Sequence, residues 1–484
     1  MQPKNLLVLM ADEHNPKVLG SAGHCAVMTP HLDRLAMRGV RFTSAYTASP
    51  ICVPARAAFA TGRHVWQMGY WDNADPYDGT VPSWHHYLRS LGHEVVSIGK
   101  LHFRGRAGDD HGFSEEILPM HVAGGTGNLK TSIRDMVTRR NGAKLARLAG
   151  PGESTYTHYD RDVASRAQIW LHEAARRPFV KPWVLFVSFV APHFPLTAPP
   201  EHYYEYASRA LPEPKLYADA ERPKHPAISY FSKYMDYDAH FKNSTDVKRA
   251  LAGYFGLTSM MDRHVGNILH ALDDAGLAAD TRVVYTSDHG DNLGARGLWG
   301  KSTMYEESAG VPLIVSGSGL PAGAACEAPV SHLDLFPFFL ECVGAPRPDF
   351  NEALAGISLR KTLRAPDHDR IVMSEYHAVG STAAVFMLRQ GKYKYVHYVG
   401  YPAQLFDLEQ DPEELADRAS DPDCAPIIAR FDTTLRSILD PEDVDRRAKQ
   451  RQSELIERAG GRTAVLNGDD FGWTPVPATA SVQG

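Results

Sequence analysis

The chain has 484 residues, 43% of them apolar and 22% charged, an ordinary balance for a globular protein that excludes wholesale disorder. At about 150 residues per domain, that length gives three domains or one large domain with an appendage. A formal charge of −6 without a long run of either sign argues against nucleic acid or an anionic membrane as the main partner, and five cysteines, sparse and odd in number, exclude a disulfide scaffold and fit a reducing, cytoplasmic compartment.

The first apolar run, 5–10, stops at Asp12, Glu13 and His14, so it reads as a buried strand rather than a secretory signal. The longest run, 184–191, is too short to span a bilayer. Runs at 94–98, 183–190, 282–287 and 311–316 share the nearly continuous apolar character of parallel strands covered on both faces. Thr29-Pro30 reads as an N-cap and first-turn proline, with Leu32, Leu35 and Ala36 on one face and Gly39 as the stop. A longer helix is expected over 246–275, where Met261, Val265, Ile268, Leu269 and Leu272 recur at helical spacing before Gly276. The alternation predicts an α/β fold: an open, mostly parallel sheet sandwiched by helices.

Past residue 370 the pattern changes. Strands are expected at 371–376, 385–389 and 393–398, the last two joined at Gln390-Gly391, with a helix over 426–439 covering a small antiparallel sheet. Residues from 459 on, rich in Gly, Thr and Pro, read as an extended tail. The organisation is therefore 1–370 catalytic, 371–458 a smaller α+β unit, and 459–484 tail. Two long irregular stretches, 104–160 and 195–243, are expected to be functional loops. The second carries Tyr203, Tyr204, Tyr230 and Tyr234, expected to shape a ligand pocket.

The chemistry sits just past the predicted strands. Asp12 follows the first, Lys100 and His102 the second, His193 the third, and Asp288 and His289 the fourth. Ligands of open α/β sheets bind outside the carboxyl ends of the strands, so four such ends point to one site. Each residue alone has an ordinary explanation as a cap or a satisfied loop side chain. The sharpest local signal is Cys52-Val53-Pro54-Ala55-Arg56. Pro54 suits a first helical turn, which puts Cys52 at a helix N-terminus, where free N–H groups and the dipole favour an anion. Composition alone yields about 0.04 matches to Cys-x-Pro-x-basic in this chain.

That pentapeptide resembles the signature of the type I sulfatases of the alkaline phosphatase superfamily, in which the cysteine is oxidised to formylglycine. Asp12, Lys100-Leu101-His102, Ala191-Pro192-His193-Phe194-Pro195, Ser287-Asp288-His289-Gly290, Lys301 and Leu405-Phe406-Asp407-Leu408 look like family motifs in family order. Trp71-Asp72-Asn73-Ala74 and His289 look most similar to choline sulfatases and phosphonate monoester hydrolases. The resemblance implies an alkaline-phosphatase-like sheet and one divalent ion, Mn²⁺ or Ca²⁺, held by Asp12, Asp288, His289 and position 52. It implies a geminal diol at position 52, with one hydroxyl, its pKa lowered by the ion and Arg56, attacking sulfur. Lys100, Lys301 and Asn73 would hold the substrate's oxygens. His193, with Lys301, would protonate the leaving group, and His102 would deprotonate the second hydroxyl to expel sulfate.

Glu13 departs from the second aspartate of many sulfatases and is left outside the metal set. The implied substrate is a small sulfate ester. Phosphonate monoesters or phosphodiesters are the alternative at the same site, and a non-catalytic binder of sulfated ligands is a third class. A formylglycine-generating enzyme is the implied maturation partner. The tail residues Phe471, Trp473, Pro475 and Pro477 are expected to dock, crossing to a neighbour in a homodimer or homotetramer.

Overall fold

Leu6, Val8 and Met10 turn to one side of the first strand and Leu7, Leu9 and Ala11 to the other, and all six are fully buried. A strand with two apolar faces needs cover on both. The computed structural model, which describes residues 2–135, 142–349, 354–468 and 473–477, supplies that cover. The strands are β1 (Asn5–Asp12), β2 (Gly39–Phe42), β3 (Val95–Lys100), β4 (Glu115–Met120), β5 (Val184–Pro192), β6 (Thr281–Ser287), β7 (Leu313–Ser316) and β8 (Ala324–Cys326). They form one sheet in the order β8-β2-β7-β6-β1-β5-β3-β4. Helices α1 (Pro30–Met37), α2 (Cys52–Thr61), α3 (Thr155–Ala174) and α4 (Ser244–Asp274) flank it. Residues of α3 and α4 join the core with Leu7 and Leu9, while Phe59 of α2 joins Leu6 and Val8 on the other face.

Among β1, β3, β4, β5 and β6 every pairing is parallel, as expected. β7 differs: it runs antiparallel to both β2 and β6. Only single helical turns, Ala295–Gly297 and Glu306–Ala309, lie between β6 and β7, too short to carry the chain across the sheet for a parallel return. Gly39, read as a helix stop, opens β2. Thr29 does not cap α1 with its side chain. Asp262 of α4 accepts the Leu32 and His31 N–H groups instead, at 2.8 and 3.1 Å.

The two stretches read as irregular are partly regular. Residues 104–160 contain β4 and the start of α3, whose N-cap Ser154 accepts from the Thr157 N–H. Residues 195–243 contain helices Pro200–Ala207 and Pro226–Tyr234, each opened by a proline in its first turn.

The smaller sheet is antiparallel, β9 (Val372–Tyr376), β10 (Val385–Gln390), β11 (Tyr393–Tyr398) and β12 (Gln404–Asp407) in sequential order. Gln390 pairs with Tyr393 across a two-residue turn in which Gly391 takes φ 56°. Helix α5 (Ala425–Ile438) covers this sheet, with Phe431 stacked on Tyr395 at 5.5 Å. Buried Lys394 fastens the unit to the larger one through Glu306, 2.9 Å away. The chain continues into α6 (Pro441–Arg458) and α7 (Gly461–Asn467). Here the extended-tail reading is corrected. Gly460 and Gly461, at φ 91° and 87°, break the helix, but residues without glycine or proline follow and start another.

Candidate active site

β6, β1, β5 and β3 are adjacent and parallel, so their carboxyl ends open on one edge of the sheet. Asp12 and Lys100 are the last residues of β1 and β3, and His193, Asp288 and His289 follow β5 and β6 directly. Cys52 is the first residue of α2, entered from an extended Ile51. Arg56, one turn further on, is buried and ties the four strands together. Its Nε donates to Asp288 (2.9 Å), Nη2 to Asp12 (3.2 Å), and Nη1 to the Lys100 carbonyl (2.7 Å) and Ser188 Oγ (2.9 Å). Lys100 pairs with Asp12 as well.

Two positioning contacts lie outside the roles read from the sequence. Buried Asp160 of α3 accepts the Val190 and Ala191 N–H groups at 2.8 and 2.7 Å, fixing the strand end that delivers His193. Asp72 accepts the Ala74 N–H (2.7 Å) and a bond from Gln452 of α6 (2.9 Å), which shapes the turn carrying Asn73. Asn73 Oδ1 in turn accepts the Val53 N–H at 3.1 Å.

Asp12, Cys52, Asp288 and His289 converge, their ligand atoms all within 4.8 Å of one another. His289 Nδ1 lies 3.0 Å from the Gly290 carbonyl, so that nitrogen carries the proton and Nε2 turns its lone pair inward. Nε2 is 3.2 Å from Cys52 Sγ and 3.6 Å from Asp288 Oδ1. Two buried carboxylates, one imidazole with the correct tautomer and the atom at position 52 fit a single divalent cation.

Electrostatics divides the groups by role. Burial pushes the Asp12 carboxyl up, but Lys100 first, with His193, Lys301 and Arg56, holds it well below the usual range. Burial, and then Asp12, pushes the Cys52 thiol up to about 12, so the unmodified thiol is a poor nucleophile near neutrality. Burial and then Lys100 and Arg56 keep His102 neutral, its pKa well below normal. Burial works against the charge on Lys301, yet Cys52, Glu13, Asp12 and Asp288 hold its pKa well above normal.

Every site residue read from the sequence is brought to this edge. Cys52, Asn73, Lys100, His102, His193 and Lys301 line one cleft, with Arg56, Asp12, Asp288 and His289 packed at its floor. Glu13 belongs there too. Its Oε2 accepts from Lys301 Nζ at 3.2 Å and lies 3.4 Å from His193 Nε2.

The outer wall is aromatic and apolar, built from Tyr156, Phe194, Met235, Tyr237, Tyr376 and Trp473. The tyrosine expectation is thus corrected. Residues 195–243 reach the cleft through Met235 and Tyr237, whereas Tyr203 is buried in the core and Tyr204, one position on, is 60% exposed. The helical period that turns Tyr203 inward turns its neighbour out.

Comparison with known proteins agrees with this geometry. The sulfatase family profile matches residues 4–345, and the profile of the C-terminal region of N-sulphoglucosamine sulphohydrolase matches 294–440. A choline-sulfatase of Rhizobium meliloti is 34% identical over 433 residues, covering 86% of this chain and 83% of its own. Arylsulfatase K of Rattus norvegicus is 28% identical over 461 residues, covering 90% and 78%. The crystal structure of the phosphonate monoester hydrolase of Agrobacterium radiobacter superposes with a TM-score of 0.74 at 25% identity, over 90% of this chain and 95% of that one. The chain belongs to the sulfatase family, with its alkaline-phosphatase-like fold, and is a hydrolase of sulfuric esters.

Proposed function

We propose that the enzyme cleaves small sulfate monoesters with a formylglycine made from Cys52, which requires a formylglycine-generating enzyme in the producing cell. The observation that carries this reading is the placement of Cys52. Its Sγ sits at the N-terminus of α2, 3.0 Å from Lys301 Nζ and 3.2 Å from His289 Nε2, at the floor of the cleft. When present, the modified residue supplies one hydroxyl for attack on sulfur and a second for release of sulfate, and a divalent ion supplies Lewis-acid polarisation. Asp12, Asp288 and His289 would hold that ion, Mn²⁺ or Ca²⁺, the imidazole favouring Mn²⁺.

The chain's own groups account for the rest. Lys100 and Lys301 carry the charge that offsets the sulfate oxygens, and Asn73, its Oδ1 committed to Val53, offers its amide NH₂. His193 has its Nδ1 2.7 Å from the Phe194 carbonyl and burial, then Lys301, lowers its pKa well below normal, so the neutral ring orients the departing oxygen while the protonated Lys301 supplies the proton. His102, held neutral and with neither ring nitrogen hydrogen-bonded, accepts a proton from position 52.

The aromatic wall fits a compact aryl or quaternary ammonium leaving group. Phosphonate monoesters are the second reading, favoured by the likeness to a phosphonate monoester hydrolase structure. We also place the enzyme in the cytoplasm, a reading supported by its five sparse cysteines, none of which is paired in a disulfide. No described helix is long and apolar enough to cross a membrane. Peptide mass spectrometry of active protein should find an aldehyde at position 52, and Cys52→Ala should lose nearly all turnover. A fully unmodified thiol with undiminished activity refutes the reading. Parallel kcat/KM values on choline sulfate, an aryl sulfate and a phenylphosphonate ester should rank the sulfates first.

A further inference from the structure

A second group of metal-binding side chains lies at the edge strand. His111, in the loop before β4, Glu116, on β4, and His121, just after it, have ligand atoms all within 4.8 Å of one another. Glu116 stands between the two rings, with Oε1 2.9 Å from His111 Nδ1 and Oε2 3.2 Å from His121 Nε2.

The backbone brings this about. Ile98 pairs with Ile117 but Lys100 pairs with Met120, so β4 carries one more residue than β3 across that interval. Leu118 takes φ 50° there. In a regular strand, residues five apart face opposite sides; one inserted residue restores parity and puts Glu116 and His121 on the same face.

We propose that His111, Glu116 and His121 form a second metal site, separate from the one at Cys52, for a divalent transition ion of the Zn²⁺ type. Zinc bonds of about 2.0–2.1 Å in a tetrahedron set neighbouring ligand atoms about 3.3 Å apart, within the 4.8 Å that spans the three ligand atoms here, one from each residue. Two imidazoles and one carboxylate select such ions over Mg²⁺ or Ca²⁺. The side chains of Glu116 and His121 are 23% and 19% exposed, which leaves the fourth position to water. Neither His111 Nε2 nor His121 Nδ1 has a hydrogen-bond partner, so the outer support that strengthens metal-binding imidazoles is missing. The affinity is accordingly about 10–100-fold below that of a fully supported site. Its effect would be positional. Met120 O accepts from Leu101 N (3.0 Å) and His102 N (2.8 Å), and Val122 N donates to Phe103 O (3.0 Å), so an ion on His121 stiffens the segment presenting Lys100 and His102.

Calorimetric titration of metal-stripped full-length protein with Zn²⁺, paralleled by Co²⁺ followed in the visible, tests this. Wild type should take two equivalents, the second giving the intense bands of four-coordinate Co²⁺. Glu116→Gln/His121→Gln should lose that equivalent and its bands, whereas Asp288→Asn should lose only the equivalent at the Cys52 site and keep this one with its bands, which separates the two sites. A wild type without the four-coordinate bands overturns the proposal, as does their retention by the double variant or their loss in Asp288→Asn. Should the double variant fail to fold, His121→Gln alone must lower the affinity of the second equivalent at least tenfold; an unchanged affinity also overturns it.

Discussion

Arg56 meets four acceptors on or just past four adjacent strands, each at a distance and direction that a planar guanidinium satisfies and a lysine ammonium does not. Arg56→Lys should therefore lower kcat by about 10²–10³-fold, since the charges facing the substrate lose their fixed frame. Arg56→Ala leaves Asp12 and Asp288 buried and underpaired, which should cost the metal-free protein about 3–5 kcal/mol, partly recovered when the divalent ion is added. Thermal unfolding with and without the ion measures both terms. Asp288→Asn should purify with its ion at the Cys52 site depleted, and full occupancy by metal analysis would remove Asp288 from the ligand set. At this scale the sequence was informative where a residue type is itself the signal: a cysteine before proline and arginine, or acids and histidines just past apolar runs. It was silent on Asp160 and on the contacts of Glu13. Their partners lie 30 and 31 residues away for Asp160, and 180 and 288 away for Glu13, and nothing local marks the pairing.

At the scale of elements, α1 shows how a local rule is overridden. Thr29-Pro30 predicts a self-capped helix, yet the Thr29 hydroxyl turns to Gly20 and Asp33, and the cap comes from Asp262 across the α1–α4 contact. Asp262→Ala should cost about 1–2 kcal/mol, the usual cost of a lost cap. Burial, opposed by the two backbone bonds, pushes this carboxyl up to about 7 from an ordinary 3.8. A raised folded pKa means that Asp262's contribution is complete below about pH 4 and is lost as pH rises through 7. Asp262→Asn should flatten that part of the stability profile between pH 4 and 7 in thermal melts. The strands were legible because continuous apolar runs of that length have few other uses. The direction of β7 and the helices within 195–243 were not, because they depend on which neighbour the chain meets rather than on its own period.

At the scale of the whole molecule, the tail decides what closes the cleft. Phe471 lies outside the described residues, but Trp473 and Val476 pack against the main core, and Trp473 and Thr474 line the cleft of their own chain. Tyr156 donates to the Thr474 carbonyl at 2.7 Å, Lys130 to the Gly468 carbonyl at 2.9 Å, and the Lys144 ammonium sits 5.2 Å from the Trp473 ring. These contacts dock the tail on its own chain, and crossing to a neighbour in the expected dimer or tetramer is the other arrangement open to it. The two arrangements predict different results from a chain ending at Gly468. Removing a wall that is only intramolecular should raise KM for aryl sulfates about tenfold, the scale of 1.4 kcal/mol of lost contact, while the mass by light scattering stays that of the full-length enzyme. Trp473→Ala should reproduce most of that rise, and it should weaken an aryl sulfate more than a small alkyl sulfate, because a ring has lost its stacking partner. A fall in mass on truncation would instead put the tail in a subunit interface, and an unchanged KM would show that Trp473 does not touch the leaving group.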